Sequence, residues 1–241
     1  MPEKRFFTDD ELKELTHQEL DIVENCLKDD ENGLQALHRL EKFRLAVMYT
    51  YMDFAGMALA YIQEKLGTEG FEDVCMRFGN HYMRDWYLQT RRGTWMKSWR
   101  EDLDKEVFKD MIREFASLMR QQSGKGFKSV EEDDEKIIFT VDPCRSGGRF
   151  RRKGMYRAPL NWPVIRKAQP ITFGIPDFPY YCGHCAVIHS QIPIELDGAM
   201  WPVMLPPQKD EDPCIYLFYK DPKDCPEEYY RRVGKEKVLK K

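Results

Sequence analysis

The sequence predicts an α+β protein, with an N-terminal helical layer packed on a small C-terminal antiparallel sheet that carries a Cys/His-rich loop region. Three observations predict it. Apolar residues recur at helical spacing, with glycine stops, up to about residue 125. Short β-branched and aromatic runs replace them beyond that point. Every proline but Pro2 lies after residue 142, which signals loop-built architecture there. The chain therefore divides into a helical region, 1–125, and a small-sheet region with the Cys/His cluster, 126–241, sharing one core.

The elements follow in order. Thr8 and Glu11 stand at capping-box spacing, and Leu12, Leu15, Leu20, Val23 and Leu27 approximate a helical stripe. Residues 34–67 read as a long helix with Gly67 as its stop, and 69–93 as a third helix stopping at Gly93. Residues 101–124 read as a fourth, with Val107, Met111, Phe115, Leu118 and Met119 on one stripe. The strands are Lys136–Val141 and Cys214–Lys220. Residues 126–141 read as a hairpin with the acidic run Glu131–Glu135 at its tip.

Of 241 residues, 42% are apolar and 13% aromatic, enough for a packed interior. The net charge of −3 gives no global pull toward nucleic acid or anionic membrane, and neither is expected as a partner. The N-terminus has no apolar run of signal-peptide length. Leu45–Ile62 is strongly apolar but contains Asp53, and reads as a buried helix rather than a membrane span. Its Met48, Tyr51, Met52 and Met57 read as core. Seven cysteines without a secretion signal suggest reduced thiols and a cytoplasmic location.

Two segments concentrate the chemistry. In Val141–Phe150 (VDPCRSGGRF), Cys144 comes off a strand onto a turn with two glycines and free amides. In Phe178–Gln191 (FPYYCGHCAVIHSQ), Cys182, His184, Cys185 and His189 lie within eight residues. On a helical turn Cys182, Cys185 and His189 share a face, so the pair can chelate one ion with His189 or Cys144 completing the shell. Zinc suits such S/N donors best, with iron the second choice. Either His184 or His189 can supply the nitrogen. A dithiol redox pair and plain buried cysteines are the other readings of Cys182 and Cys185.

No Asp or Glu occurs from Pro143 to Pro176, where eight Arg and Lys stand. Within this run Arg149 is the fork-shaped candidate for a carboxylate, beside Ser146, Gly147 and Gly148 as substrate-binding residues. The remainder reads as a solvated face pairing with the acidic tip at 131–135. His81, with Asp85 one turn on and Tyr82 and Trp86 nearby, is a candidate acid/base residue, as more weakly are His38 and Asp53. His17 carries no signal. The aromatic cluster Arg91–Asp102 is a candidate interface for a homo-oligomer, or a connection folded back on the core. No P-loop, nucleophile elbow, dinucleotide fingerprint or H-E-x-x-H motif is present.

The segments DPCRSGGR, FPYYCGHCAVIHSQIPIELDG and DPCIYLFYKDP together resemble the L-2-amino-thiazoline-4-carboxylic acid hydrolase-like family, mainly over Ile137 to about Tyr230. The resemblance implies hydrolytic opening of a small cyclic amidine-like acid to a carbamoyl product. It points to Cys144 and its glycine turn, Arg149, and Cys182–Cys185 with His184. The expected function is thus a metal- or cysteine-dependent hydrolase of a small carboxylate-bearing substrate. The competing reading is a non-catalytic small-molecule sensor domain with a structural zinc, whose pocket Trp86, Trp95 and Trp99 would line.

Overall fold

A computed structural model describes residues 5–16, 19–89, 105–123, 127–142 and 144–239. It bears out the α+β expectation. Helices α1 (Asp9–Thr16), α2 (Glu19–Cys26), α3 (Glu31–Gln89) and α4 (Lys105–Ser123) precede a sheet built from β1 (Ser129–Glu132), β2 (Lys136–Val141), β5 (Val203–Leu205) and β6 (Cys214–Tyr219). Its order is β1-β2-β6-β5, antiparallel throughout. Between β2 and β5 lie α5 (Gly147–Arg152) and a two-stranded ribbon of β3 (Val164–Ile165) and β4 (Phe178–Pro179). A helical run follows: a tight turn (Tyr180–Cys182), α6 (Gly183–Ala186), a π-helical turn (Val187–Gln191) and α7 (Ile192–Asp197). Helix α8 (Glu227–Arg231) ends the series.

The capping box forms as the sequence indicates. The Thr8 N–H donates to Glu11 Oε2 at 2.8 Å, and the Glu11 N–H donates to Thr8 Oγ1 at 3.2 Å. Glu11 also takes the Lys109 ammonium at 2.5 Å, which is the main reason its carboxyl is held down at about 2. A carboxyl lowered from 4.5 stabilises the fold above pH 4.5, and that contribution fades as pH falls through about 2. Glu11→Gln is therefore expected to flatten the acid limb of thermal stability between these values, as a melting series against pH would show.

Strand β2 alternates as a half-buried strand must, with Ile137, Phe139 and Val141 inward. Helix α4 covers that face: the Phe115 ring meets Phe139 at 5.6 Å and Phe218 at 4.6 Å between centroids. Met111 and Phe115 of the expected stripe are buried, with Val107 and Met119 packed at its margin. The Leu118 side chain and Gly124 lie outside the described residues, as do Pro143, His17 and the Arg91–Asp102 cluster.

The acidic hairpin is committed locally. Glu132, its side chain fully buried, accepts the Phe6 and Phe7 amides and the Lys220 ammonium, the last at 2.8 Å. Asp133 pairs with Lys136. The basic segment pairs elsewhere than the sequence suggested: Arg149 with Asp53, Arg151 and Arg157 with Asp210, Arg152 with Asp142 and Arg166 with Asp177.

Helix α3 departs most from expectation. Gly67 breaks it at φ 68°, ψ −168°, yet helix resumes and runs to Gln89. One face packs on a second apolar cluster of Phe150, Trp162, Tyr180 and Ile188, through Ala60, Phe71 and Cys75. The approach is closest at Gly56, where an added Cβ would lie 2.8 Å from Trp162 and 3.0 Å from Phe150. The Gly56 carbonyl accepts the Tyr180 hydroxyl there. Tyr51 and Met57, expected in the core, are exposed, because the cluster covers only the opposite side of the helix.

Candidate active site and metal centre

One end of the β2–β6 pair brings two cysteines to one place. Val141 pairs with Cys214 in the ladder, so Cys144, three residues on, meets the start of β6. The turn after Cys144 closes through the Arg149 N–H, which donates to the Cys144 carbonyl at 2.9 Å. The Gly148 N–H donates to Cys144 Sγ at 3.0 Å. Gly147 faces the thiol of Cys182 so closely that an added Cβ would lie 2.6 Å from it. Gly147 is thus required by the approach of Cys182, while Gly148 contributes only its backbone amide.

Cys144 and Cys214 are hydrogen-bonded to each other, which lowers the first thiol and raises the second. The Cys214 hydrogen bond, aided by the Gly148 and Ser146 amides and the Ser146 side chain, pulls Cys144 down to about 6. Cys214 is driven well above the ordinary thiol range, first by the same bond and then by burial. Cys144 is the anionic member because the amides point at it. Burial pushes Cys182 up to about 12 and raises Cys185 well above the ordinary thiol range, so both are neutral thiols. That removes the activation a Cys182–Cys185 redox pair would need.

Cys144, Gly147, Cys182, His184, Cys185 and Cys214 wall one small cavity of about 20 Å³, completed by Phe173, Met204, Pro206 and Pro207. That volume holds a water molecule or an ion. His184 donates from Nδ1 to the Tyr181 carbonyl, and burial keeps its ring neutral. Nε2 is then left as an acceptor, 3.5 Å from Cys185 Sγ. A backbone carbonyl fixing the tautomer in this way is the support that metal-ligating histidines commonly have.

The expected ligand set changes. Donor atoms of His184, Cys185 and His189 lie within 4.8 Å of one another, and among the described residues this is the group able to hold an ion. Cys144 and Cys182 line the cavity without joining it. The cause is the π-helical turn Val187–Gln191, whose wider winding brings positions five apart onto one side, and so His189 toward His184. A regular α-helix would have grouped Cys182, Cys185 and His189.

Other candidates fall away from the cavity. His81 is exposed on α3 and does not line it, and His38 bonds Glu24. Arg149 is not free for a substrate: it pairs with Asp53, donates to the Arg145 carbonyl and stacks on Tyr49 and Phe150, each 4.8 Å from its guanidinium carbon. The side chains of Tyr82, Asp85 and Trp86, and all of Trp95 and Trp99, lie outside the described residues.

Two residues were missed. Arg145 is buried, and its Nη1 has no hydrogen-bond partner among the described residues. Burial lowers it to about 10, so it remains a cation at neutral pH. Cys214 was read only as part of a strand, although Asp-Pro-Cys occurs twice, at 142–144 and 212–214, each beside one strand of the β2–β6 pair. No family model, curated protein or solved structure matches the chain.

Proposed function

We propose that this protein is a hydrolase of small, carboxylate-bearing electrophiles with Cys144 as the nucleophile. The single observation that carries the reading is the lowered Cys144 thiol, hydrogen-bonded by Cys214 and by the Gly148 amide beside a water-sized cavity that a substrate would have to widen. A thiolate at neutral pH adds readily to an sp² carbon such as that of a cyclic amidine. The adduct's displaced electron pair would take its proton from the Cys214 thiol, which sits on the nucleophile. For a 2-amino-thiazoline the adduct would collapse by breaking the ring carbon–sulfur bond, the ring sulfur leaving as thiolate. Water, deprotonated by neutral His184 at Nε2, would then add to the sp² carbon still bonded to Cys144 and expel Cys144 as thiolate, the water's two protons returning to Cys214 and the departed sulfur. The resemblance to the L-2-amino-thiazoline-4-carboxylic acid hydrolase-like family supports the same substrate class. All seven cysteines are free thiols, as a cytoplasmic enzyme would keep them.

Arg145, next to Cys144 in the chain, is the proposed anchor for the carboxylate; Nη1 of both Arg145 and Arg149 lacks a hydrogen-bond partner among the described residues, but Arg149 already pairs with Asp53. A buried guanidinium with an unpaired donor costs about 1–3 kcal/mol, a cost that a bound anion would offset. Arg145→Met is expected to raise the melting temperature while abolishing turnover of carboxylate substrates, a pairing that a purely structural arginine would not give.

His184, Cys185 and His189 would suit a zinc-class ion, and three protein donors would leave room for a water ligand as catalytic sites require. Such an ion would occupy His184 Nε2, and would then replace that nitrogen's role as base by lowering the pKa of water beside Cys144. Elemental analysis of purified protein is expected to give one zinc per chain, lost in His189→Ala and Cys185→Ser but kept in Cys182→Ser. Loss in Cys182→Ser alone would restore the regular-helix ligand set.

The experiment for the function is a hydrolysis assay on 2-amino-thiazoline-4-carboxylic acid and a panel of small cyclic amidine acids, with Cys144→Ser as control. Ring opening by the wild type alone is expected. Saturable binding without turnover would instead favour the sensor domain with a structural zinc.

A further inference from the structure

Helix α3 turns an uncharged face to solvent. Between Phe43 and Ile62 its exposed residues are Phe43, Ala46, Val47, Thr50, Tyr51, Phe54, Met57, Ala58 and Tyr61. Arg44 and Asp53, the charged residues of this stretch, sit on the half-buried side, where they pair with Glu41 and Arg149. Phe43 is 67% exposed, Phe54 66% and Tyr61 61%. Five turns of helix without an exposed charge are not a solvated surface.

The spacing says what covers it. Leu40, Phe43, Val47, Thr50, Phe54, Met57 and Tyr61 follow alternating steps of three and four, the a/d pattern of a helix that packs against another helix. The stripe runs about 30 Å. Its large side chains, each presenting about 150–250 Å² when aromatic and roughly 60% exposed here, offer on the order of 800 Å². That is about what one partner contributes to a stable protein–protein interface. The face is uncharged along its length and apolar but for Thr50, so it can meet its own copy without opposing like charges.

By length and composition, the Glu31–His81 stretch also suffices to cross a bilayer, with a mean hydropathy of 1.3 over its best window. A span is nevertheless a poor fit. The other side of the same turns is held by protein, through Gly56 against Trp162, the Tyr180 hydroxyl on the Gly56 carbonyl, and Asp53 on Arg149. Lipid could not surround it.

We propose that the exposed a/d face of α3 packs on the same face of a second copy, forming a homodimer through a helix pair. The inference is independent of the hydrolase reading, since none of these residues lines the cavity.

The test is sedimentation velocity on the full chain, wild type against Phe54→Glu and Tyr61→Glu. The wild type is expected at twice the 28.7 kDa chain mass, and each variant at the single mass with unchanged helical circular dichroism. Because both side chains are largely exposed, neither substitution disturbs the monomer's core. A monomeric wild type overturns the proposal, and so does a dimer that survives both substitutions. A monomer that floats with phospholipid vesicles would assign the face to a membrane surface instead.

Discussion

Cys144→Ser is expected to lower hydrolysis by at least about a thousandfold with little change in melting temperature. A serine hydroxyl occupies the thiol's place and can still accept from the Gly148 amide, so the turn survives. It cannot supply an anion at neutral pH. Cys214→Ala should act in the same direction but more weakly. It deletes the largest cause of the lowered Cys144 thiol while leaving the Gly148 and Ser146 amides in place. The variant should therefore need higher pH for its remaining activity. If both variants turn over substrate at the wild-type rate, the thiol pair has no part in the chemistry.

The second large effect is on stability. Glu132→Ala is expected to cost about 3–5 kcal/mol, because it removes the buried carboxylate that pairs with the Lys220 ammonium and leaves that ammonium its Asp133 carbonyl bond. It also removes the acceptor of the Phe6 and Phe7 amides, which tie the segment before α1 to the hairpin. Glu132→Gln should fall between the two, since an amide oxygen still accepts but carries no charge. Urea unfolding gives the measurement, with the midpoint falling and the slope little changed. A loss below about 1 kcal/mol, the range of surface pairs, would show that Lys220 finds another partner or water.

What the sequence disclosed follows from the range of each signal. Thr8–Glu11, the alternation along Lys136–Val141 and the switch from helical spacing to prolines near residue 125 are local patterns, and each appears in place. Gly67 misled because a glycine stop is read one residue at a time. The break is real, but the chain beyond it packs on the same second cluster, through Phe71 and Cys75, and helix resumes. The apolar stretch of α3 was read as core because composition alone does not say what lies beside a helix.

The site shows the same division. The two segments that form it were visible as Cys144 with its glycines and as the 182–189 cluster. Three of its features depend on contacts far apart in the chain, or on geometry that spacing does not encode. Cys214 reaches Cys144 through the β2–β6 register. Asp53 captures Arg149 across 96 residues, and Arg145 Nη1, like Arg149 Nη1, is left without a hydrogen-bond partner among the described residues. The π-helical turn reorders the ligand group from Cys182, Cys185 and His189 to His184, Cys185 and His189.

The central claim is that Cys144 is an activated thiolate among seven free cysteines. The measurement that tests it most directly is the pH dependence of iodoacetamide alkylation, read cysteine by cysteine by peptide mass spectrometry. Cys144 is predicted to react with an inflection near pH 6, and that inflection should move upward in Cys214→Ala. Alkylation of Cys144 that rises only near pH 9, where an ordinary thiol ionises, would contradict the account.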